Sequence, residues 1–282
     1  MKRILITGAN SYIGTSFEKW LSSCPEEYSV DTVDMKDNKW KEKDFSGYDV
    51  VFHVAGIAHV RETKENQYLY YKVNRDLTID AANKAKKEGV KQFIFLSSMS
   101  VYGLKNGVIN LNTPINPDSN YGRSKIQAED SIKLLDENSF KVAILRPPMV
   151  YGKGCKGNYS KLANLAIKIP FFPNINNKRS MIYIDNLSEF VRILIDNDSN
   201  GLFFPQNIEY VKTSKMVELI AKAHGKKIIL TSLFNPLITL LKFNLFNKVF
   251  GDLVYETNLS KDNFMYEKNF INFEKSIDLA EE

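Results

Sequence analysis

The first half of the chain alternates short apolar runs with longer amphipathic segments. Strands buried on both faces of a sheet are apolar at almost every position, whereas helices repeat their apolar residues every three or four positions. We predict strands at residues 4–7, 30–34, 49–54, 92–97 and 141–146, and helices at 12–22, 65–88 and 121–138. Strands that alternate with helices form a parallel sheet covered on both faces. The predicted fold class is therefore α/β, a doubly wound parallel sheet of the Rossmann type that binds ligands at the carboxyl ends of its strands.

The pattern changes after residue 150, where Gly, Pro and Asn become frequent. A helix at 161–168, a helix at 214–224 and a strand at 227–231 are predicted in this part. We expect two domains. The first is a dinucleotide-binding domain of residues 1–150, to which 178–200 return, and the second is a smaller substrate-binding lobe of residues 151–177 and 201–282.

Composition removes several classes of function. The net charge is +5, but Lys and Arg are interspersed with Asp and Glu, so no block of like charge indicates a nucleic-acid partner. The three His residues form no metal-ligand pattern, and the distant Cys24 and Cys155 are typical of free thiols in a reducing compartment. No run of about 18 apolar residues indicates a transmembrane segment, and the first apolar run is too short for a signal peptide. We expect a cytoplasmic protein without a metal site.

One apolar segment leaves two interpretations. Residues 236–255 are apolar and mildly basic, a pattern that occurs in helices lying on a membrane surface. The same pattern is more typical of the packed underside of a lobe, which is the interpretation that we favour.

A glycine-containing turn, TGANSYIG, follows the first predicted strand. Gly8 permits a tight turn and Gly14 lets the following helix approach the strand, while Ser11 replaces the middle glycine of a dinucleotide-binding turn. A phosphate at the helix N-terminus is stabilised by backbone N–H groups, and the Ser11 hydroxyl is a further donor. The residues expected to bind the cofactor here are Gly8, Asn10, Ser11, Tyr12, Ile13 and Gly14.

Asp34 ends the second predicted strand, 20 residues after Gly14. A carboxylate at this place accepts the ribose hydroxyls of a dinucleotide and repels a 2′-phosphate. We therefore predict NAD as the cofactor. NADP remains possible because Lys36 lies two residues further on.

The sequence YGRSK places Tyr121 and Lys125 four residues apart at the start of a predicted helix. This spacing sets both side chains on one face. A phenol has a pKa near 10, and a lowering to about 7 needs roughly 4 kcal/mol of differential stabilisation, which a neighbouring ammonium and a positive nicotinamide ring favour. The segment SSMSVYG, residues 97–103, closes the preceding strand at the same predicted edge of the sheet. The pair is thus a candidate base and its partner.

Together these segments resemble an extended short-chain dehydrogenase/reductase of the nucleotide-sugar epimerase/dehydratase type. The resemblance covers the first two hundred residues well and the remainder loosely. Its motifs are TGANSYIG, HVAG, KVNRDLT, LSSMSVYG, YGRSK, LRPPMVYG and RSMIYIDNL.

The resemblance implies a role for each matching residue. Tyr121 corresponds to the catalytic base, Lys125 to its partner and holder of the nicotinamide ribose, and Ser98 to the hydrogen-bond partner of the reacting hydroxyl. Further implied contacts are Ser100 in the substrate pocket, Asn74 beside the nicotinamide, Asp44 and Phe45 at the adenine, Val54, Ala55 and Gly56 under the adenosine ribose, and Arg179 and Asn158 at the diphosphate of a nucleotide sugar. Tyr121 and Ser98 would also contact the sugar.

The resemblance leaves three functions open. Sugar 4,6-dehydratases carry an acid–base pair after the catalytic serine or threonine, where this chain has Met99 and Ser100, so no dehydratase activity is expected. A 4-epimerase of a UDP-hexose or UDP-N-acetylhexosamine is favoured by Asp34, and a 4-ketoreductase of a 4-keto-6-deoxy sugar nucleotide by the small lobe. The third alternative is a protein that binds a dinucleotide without turnover. The resemblance also suggests a polysaccharide pathway and a homodimer formed through the helices at 65–88 and 121–138.

Overall fold

The computed structural model describes residues 1–58, 60, 62–233, 235, 250–261 and 269–282. The segment predicted to lie under the smaller lobe, residues 236–255, falls outside the described residues up to position 249. The contacts divide the chain into two units. The first unit comprises Met1–Gly103, Pro114–Pro147 and Leu187–Pro205, and the second comprises Leu104–Thr113, Pro148–Asn186 and Gln206–Glu282.

The described strands are short, and most of the longer ones belong to one sheet. In chain order they are β1 (Lys2–Thr7), β2 (Tyr28–Val33), β3 (Val50–His53), β4 (Gln92–Leu96), β5 (Gly107–Ile109), β6 (Lys141–Leu145), β7 (Met149–Tyr151), β8 (Phe171–Pro173), β9 (Met181–Tyr183), β10 (Gly201–Phe203), β11 (Ile229–Thr231) and β12 (Leu253–Tyr255).

The first unit is built on a six-stranded parallel sheet with the strand order β10-β6-β4-β3-β1-β2. This confirms the predicted doubly wound parallel fold. The chain runs from β1 to β2 on one side and then crosses to β3 on the other, so the order reverses between β1 and β3. Ligands of such sheets bind outside the carboxyl ends of the strands at this reversal.

The helices of the described residues connect these strands. In chain order they are α1 (Tyr12–Leu21), α2 (Gln67–Tyr70), α3 (Leu77–Lys87), α4 (Asn120–Lys133), α5 (Asn158–Ala166), α6 (Ile184–Asp196), α7 (Thr213–Ala223), α8 (Asn258–Lys261) and α9 (Phe273–Glu281). A π-helical segment, Tyr71–Asp76, joins α2 to α3. The helix predicted over 65–88 is thus one helical stretch with a π-turn in its middle.

The helix predicted over 121–138 is shorter than expected, because α4 ends at Lys133. The residues that follow prefer turns: Asp136 accepts a hydrogen bond from the Val142 N–H at 2.7 Å, and Glu137 forms an isolated bridge with Phe140. Asp side chains that bond to nearby backbone groups compete with helix formation. The helix therefore ends before the last residue of the amphipathic pattern.

One part of the core of the first unit lies between the sheet and α3 and α4. Small residues on the two helices, including Ala81, Ala85 and Ala128, are fully buried against Phe93 and Val51 of the sheet. Alanine has the highest helix propensity, and its small side chain leaves room for the larger side chains of the strands. This packing holds the helices close to the sheet.

The described residues of the second unit form three two-stranded parallel sheets, β11-β8, β12-β5 and β7-β9. Its core is aromatic: the Tyr151 ring lies 5.4 Å from that of Tyr159 and 5.7 Å from that of Tyr183, and its hydroxyl bonds to Ser276 at 2.6 Å. Each polar tip has a partner, as buried tyrosines require. None of the helices in the described ranges is long and apolar enough to cross a membrane.

The bounds of the two units differ in part from the predicted domains. Residues 201–203 form β10 and pair with β6 of the central sheet, whereas the sequence pattern placed them in the lobe. Residues 107–109 pair with β12 of the second unit, and no local pattern marks this long-range pairing. The assignment of cofactor binding to one unit and substrate binding to the other stays a prediction.

Candidate active site

The glycine turn follows β1 at the point where the strand order reverses. Gly8 has a φ of +104°, and a Cβ added to it would lie 2.8 Å from the Ala55 backbone nitrogen. The N–H groups of Gly8 and Ala9 donate to the Val33 carbonyl at 2.9 and 3.1 Å. Only glycine combines this φ with such a close approach. The ends of β1, β2 and β3 therefore meet at Gly8.

Ser11 is the N-cap residue of α1. Its Oγ accepts a hydrogen bond from the Gly14 N–H at 3.2 Å, and Asn10 before it has a φ of 63°. Ser is a favoured N-cap because its oxygen satisfies an N–H of the first turn. That bond leaves the hydroxyl proton of Ser11 for another acceptor. Tyr12 and Ile13 open the helix, whose N-terminal dipole favours a phosphate.

Gly14 closes the turn by bringing α1 close to the sheet. A Cβ added to Gly14 would lie 2.7 Å from Ser11 Oγ and 3.2 Å from side-chain carbons of Ile6 and Val54. Even alanine would therefore displace its neighbours, which supports the role predicted for this glycine.

Asp34 is exposed directly after β2. It accepts a hydrogen bond from the Lys36 N–H at 2.9 Å, and the Lys36 ammonium lies 3.7 Å from its other oxygen. An exposed pair of this kind is weak. The carboxylate therefore keeps the position expected for a ribose partner, with a lysine beside it.

Asp44 and Phe45, which are expected at the adenine, differ in exposure, and their contact with adenine stays a prediction. Asp44 is exposed, and the Ser46 N–H that it accepts lowers its pKa. Phe45, however, is fully buried in the core, and its N–H donates to Glu88 at 2.7 Å. The Phe45 ring is part of the hydrophobic core, so Asp44 is the member of the pair that faces outward.

Asn74 joins the end of β3 to the candidate catalytic helix. Its Oδ1 accepts the Ile57 N–H at 2.8 Å, while its Nδ2 donates to the Ile57 carbonyl at 3.0 Å and to Ser124 Oγ at 3.2 Å. A Cβ on Gly56 would lie 3.0 Å from Asn74 Oδ1 and 3.4 Å from Lys125 Nζ. The structure therefore gathers Gly56, Asn74 and Lys125 at one place.

Gly122 sets the contact between α4 and the loop after β4. A Cβ on this residue would lie 2.6 Å from the Ser100 carbonyl oxygen and 2.8 Å from Pro117 Cβ. Ser119 caps the helix by accepting the Gly122 N–H at 3.1 Å. Gly122 is the glycine of the YGRSK motif, but the motif did not predict this close contact with the Ser100 backbone.

Tyr121, Ser98 and Ser100 lie together. Tyr121 is half-buried on α4 and meets the Tyr70 ring edge-on at 6.4 Å, and the Ser98 hydroxyl is near enough to lower the pKa of its phenol. Ser98 Oγ donates to Ser100 Oγ and accepts the Ser100 N–H, both at 3.1 Å. A phenol and two hydroxyls thus lie in one short chain of neighbouring groups.

Lys125 is buried beneath this chain. Its ammonium donates to the Leu96 carbonyl at 2.8 Å and lies 4.6 Å from the centre of the Phe95 ring. Burial lowers the pKa of Lys125 to about 7, against the opposing effect of Glu129. Its charge therefore changes near neutral pH.

The low phenol pKa predicted for Tyr121 is not a property of the protein alone. Burial raises the pKa of Tyr121, the nearby Ser98 hydroxyl opposes that shift, and Tyr70 adds to it. A buried phenol loses more hydration on ionisation than it recovers from one hydroxyl. The site therefore needs a further positive charge to form the phenolate.

A buried ion pair lies next to these residues and was not predicted. Arg146 donates to both oxygens of Glu129, the shortest distance being 2.6 Å, and to the Tyr102 hydroxyl at 2.8 Å. Ser97 Oγ also donates to Glu129. The available signal was the spacing, because Glu129 follows Lys125 by four residues and therefore shares its helix face.

Arg179 and Asn158 belong to the second unit. Arg179 exchanges backbone hydrogen bonds with Val211 at 3.0 and 2.8 Å, its guanidinium donates to the Gly251 carbonyl at 2.9 Å, and burial lowers its pKa. Asn158 is exposed at the first position of α5. Both stay predictions as diphosphate ligands. Among the described residues, no group of His, Cys, Asp and Glu is arranged to hold a metal ion.

Comparison with known proteins gives consistent results. The family model "NAD dependent epimerase/dehydratase family" matches residues 4–203. A UDP-glucose 4-epimerase from Vibrio cholerae is 32% identical over 277 residues, covering 89% of this chain and 83% of the relative.

Two solved structures share the fold. The UDP-glucuronic acid 4-epimerase from Bacillus cereus in complex with NAD has a TM-score of 0.76 at 19% identity and covers 99% of this chain and 97% of its own. A dTDP-4-dehydrorhamnose reductase from Bacillus anthracis str. Ames in complex with NADP has a TM-score of 0.73 at 19% identity, covering 99% and 98%.

Proposed function

Because the chain belongs to the NAD-dependent epimerase/dehydratase family, we propose that it catalyses oxidoreduction at C4 of a nucleotide sugar, as a UDP-hexose or UDP-N-acetylhexosamine 4-epimerase. Membership confirms the resemblance seen in the motifs and the predicted class of NAD(P)-dependent enzyme. The observation that carries the proposal is that the Tyr121 phenol and the hydrogen-bonded hydroxyls of Ser98 and Ser100 lie together, on the same unit as the glycine turn.

The residues present fit a dinucleotide. Gly8 forms the tight turn in which the Ala55 backbone approaches closely, and the N-terminus of α1 follows this turn. In the proposal, the turn from Gly8 to Gly14 holds the pyrophosphate, Asp34 the adenosine ribose and Lys125 the nicotinamide ribose, with Asn74 beside the ring. When bound, the nicotinamide accepts a hydride from the sugar and returns it.

Tyr121 supplies the base in this proposal. Its phenolate oxygen takes the proton of the C4 hydroxyl during oxidation and returns it during reduction. Ser98 holds the same oxygen of the sugar through a hydrogen bond, and Ser100 is the second hydroxyl of the chain. The pKa of Lys125 lies near neutrality, so this ammonium is present only in part at pH 7 and gains charge at lower pH.

The substrate side of the proposal rests on the second unit and on the relatives. Arg179 presents a planar cation, which pairs well with a diphosphate, and Asn158 adds an exposed amide. The name of the Vibrio cholerae relative supports UDP-glucose or a related hexose. A cytoplasmic location and a homodimer stay predictions on which the proposal does not depend.

A 4-ketoreductase is the second candidate. The likeness to the NADP-bound reductase shows the fold alone, and the Lys36 ammonium near Asp34 favours tolerance of a 2′-phosphate. The exposed carboxylate of Asp34 and the relative that covers 89% of the chain favour the epimerase. A dehydratase is not proposed, because Met99 and Ser100 carry no proton-shuttling group.

Cofactor content and substrate range separate the candidates. The protein is purified and denatured, and the released dinucleotide is measured by its absorbance. Intact protein is then offered UDP-hexoses, UDP-N-acetylhexosamines and 4-keto-6-deoxy sugar nucleotides. Near-stoichiometric NAD and interconversion of 4-epimers without added cofactor support the epimerase. Cofactor-free protein that consumes NADPH only with a 4-keto sugar nucleotide would establish the reductase, and bound NAD without any turnover would leave a dinucleotide-binding protein.

A further inference from the structure

His53 is the last residue of β3 and is fully buried, yet it has no role in the proposed chemistry. Its Nδ1 lies 2.7 Å from Thr7 Oγ1 and its Nε2 lies 3.0 Å from Thr78 Oγ1. The ring stacks on Phe93 with centroids 5.6 Å apart. A buried imidazole with two hydroxyl partners forms part of an ordered network rather than apolar packing.

The protons of this network have one consistent arrangement. Thr78 Oγ1 donates its single proton to the Asn74 carbonyl at 2.9 Å, so it accepts from His53 Nε2–H. A neutral imidazole carries one N–H, and Nδ1 therefore accepts from Thr7 Oγ1–H. Burial lowers the pKa of His53 to about 3, with Lys125 as the charged group that adds to the shift. The ring is accordingly neutral at physiological pH.

The network ends in the π-helical segment. The Leu77 N–H donates to the Lys72 carbonyl, five residues earlier, so the regular four-residue spacing is interrupted beside Asn74. Such π-turns are frequent at functional sites. The Asn74 side chain then holds Ile57 at the end of β3 and Ser124 on α4. The position of Asn74 therefore affects two of the elements that carry the proposed site.

We propose that Thr7, His53 and Thr78 are positioning residues, whose directed hydrogen-bond chain fixes the π-turn and thereby the Asn74 amide between β3 and α4. The kinetic part of this inference rests on the proposed function. If the Asn74 side chain shifted, it would lose its hydrogen bonds to the Ile57 backbone and to Ser124 Oγ at the same time. Loss of the hydrogen-bond partners of metal ligands lowers affinity or activity by about 10- to 100-fold, and we expect an effect of the same order here.

The direct test compares Thr78→Val with Thr78→Ser. Valine keeps the branched shape and removes the hydroxyl, whereas serine restores the hydroxyl without the methyl. The matched control is Ser276→Ala in the second unit, which removes a buried hydroxyl that donates to the Phe273 carbonyl three residues earlier. The readouts are the melting temperature, the Kd for NADH from quenching of protein fluorescence, and kcat and KM with the sugar nucleotide.

We expect Thr78→Val to weaken NADH binding about 10-fold and to lower kcat about 10- to 100-fold. Thr78→Ser should recover both to within about threefold. Ser276→Ala should lower the melting temperature to a similar extent and leave both values within about twofold. Equal effects of Thr78→Val and Ser276→Ala on NADH binding would overturn the inference, and so would wild-type protein that does not bind NADH.

A second measurement needs no variant and no substrate. The ring nitrogen signals of His53 in NMR spectra should show protonated Nε2, unprotonated Nδ1 and no titration between pH 5 and 9. Protonated Nδ1, or a titration in this range, would contradict the inference even if Thr78→Val fails to fold. Absence of sugar turnover, with these NMR and NADH results intact, would count against the proposed function alone.

Discussion

The two units hold their candidate site residues in different ways. In the first unit, Gly8, Ser98 and Lys125 are placed by the ends of parallel strands and by a helix packed on them, and a Cβ added to Gly8 would clash with the Ala55 backbone. In the second unit, Arg179 forms isolated bridges with Val211 and Leu253, and Asn158 is exposed at a helix start.

This difference predicts different roles for the site residues of the two units. A rigid sheet edge holds catalytic groups at fixed distances, which catalysis requires. Residues on short strands and loops tolerate change more easily. We therefore expect substitutions in the first unit to alter turnover or cofactor binding, and substitutions in the second unit to alter mainly the KM of the sugar nucleotide.

The largest effect is expected from Tyr121→Phe. The change removes the proton acceptor and keeps the ring, so kcat should fall by about 10²- to 10⁴-fold while the Kd for NADH changes less than about threefold. Steady-state kinetics and fluorescence titration measure the two values. Tyr48→Phe, which removes a phenol bonded to Asp31 in the same unit, is the control and should leave kcat nearly unchanged. Full activity of Tyr121→Phe would refute the mechanism.

The next effect is expected from Gly8→Ala. Its Cβ would overlap the Ala55 backbone, so either the turn or the end of β3 must move, and NADH binding should weaken by about 100-fold. Gly89→Ala is a sharp control, because Gly89 also has a positive φ, +82°, but no atom lies within 4 Å of the added Cβ. That variant should lose about 1 kcal/mol of unfolding free energy and bind NADH normally. Similar NADH affinities for the two variants would show that the close approach at Gly8 is not required.

Arg179→Ala tests the second unit. The loss of a planar cation should raise the KM of the sugar nucleotide about 10- to 100-fold, with kcat changed less than about threefold. Lys178→Ala removes an exposed positive charge from the adjacent position and should have little effect. If Arg179→Ala lowers kcat and leaves KM unchanged, the proposed division between the units is wrong.

The smallest effect concerns cofactor choice. Removing the carboxylate in Asp34→Asn should shift the ratio of NAD to NADP affinity by about fivefold toward NADP, because an exposed charge at short range is worth about 1 kcal/mol. Lys36→Ala should shift the ratio in the opposite direction. Binding titrations with NADH and NADPH measure both changes. An unchanged ratio in Asp34→Asn would place the ribose elsewhere.

The sequence was sufficient for those parts of the molecule that depend on local patterns. Strands such as β4 and β6 are continuous apolar runs, and their bounds lie within one residue of the prediction. Tyr121 and Ser98 were recognised because a short motif carries each. The lowering effect of the Ser98 hydroxyl on the pKa of Tyr121 agrees with the expected shared edge of the sheet, and the roles of both residues stay predictions.

Features that depend on long-range contacts were not predictable. Phe45 is an apolar residue between polar neighbours, and only the fold shows that it joins the core. The pairing of β5 with β12 spans well over one hundred residues. The raised pKa of Tyr121 and the lowered pKa of Lys125 are consequences of burial, a quantity that a motif does not contain.

The contact at Gly122 also limits how this protein can be redesigned. Because no side chain separates α4 from the Ser100 backbone, the segment that carries Tyr121 cannot slide toward the loop, and any outward movement would open a gap. More room beside Tyr121 would therefore have to come from changes in the segment after β4 and not from a movement of α4. Tilting the helix would misalign the phenol with Ser98 before it created useful space.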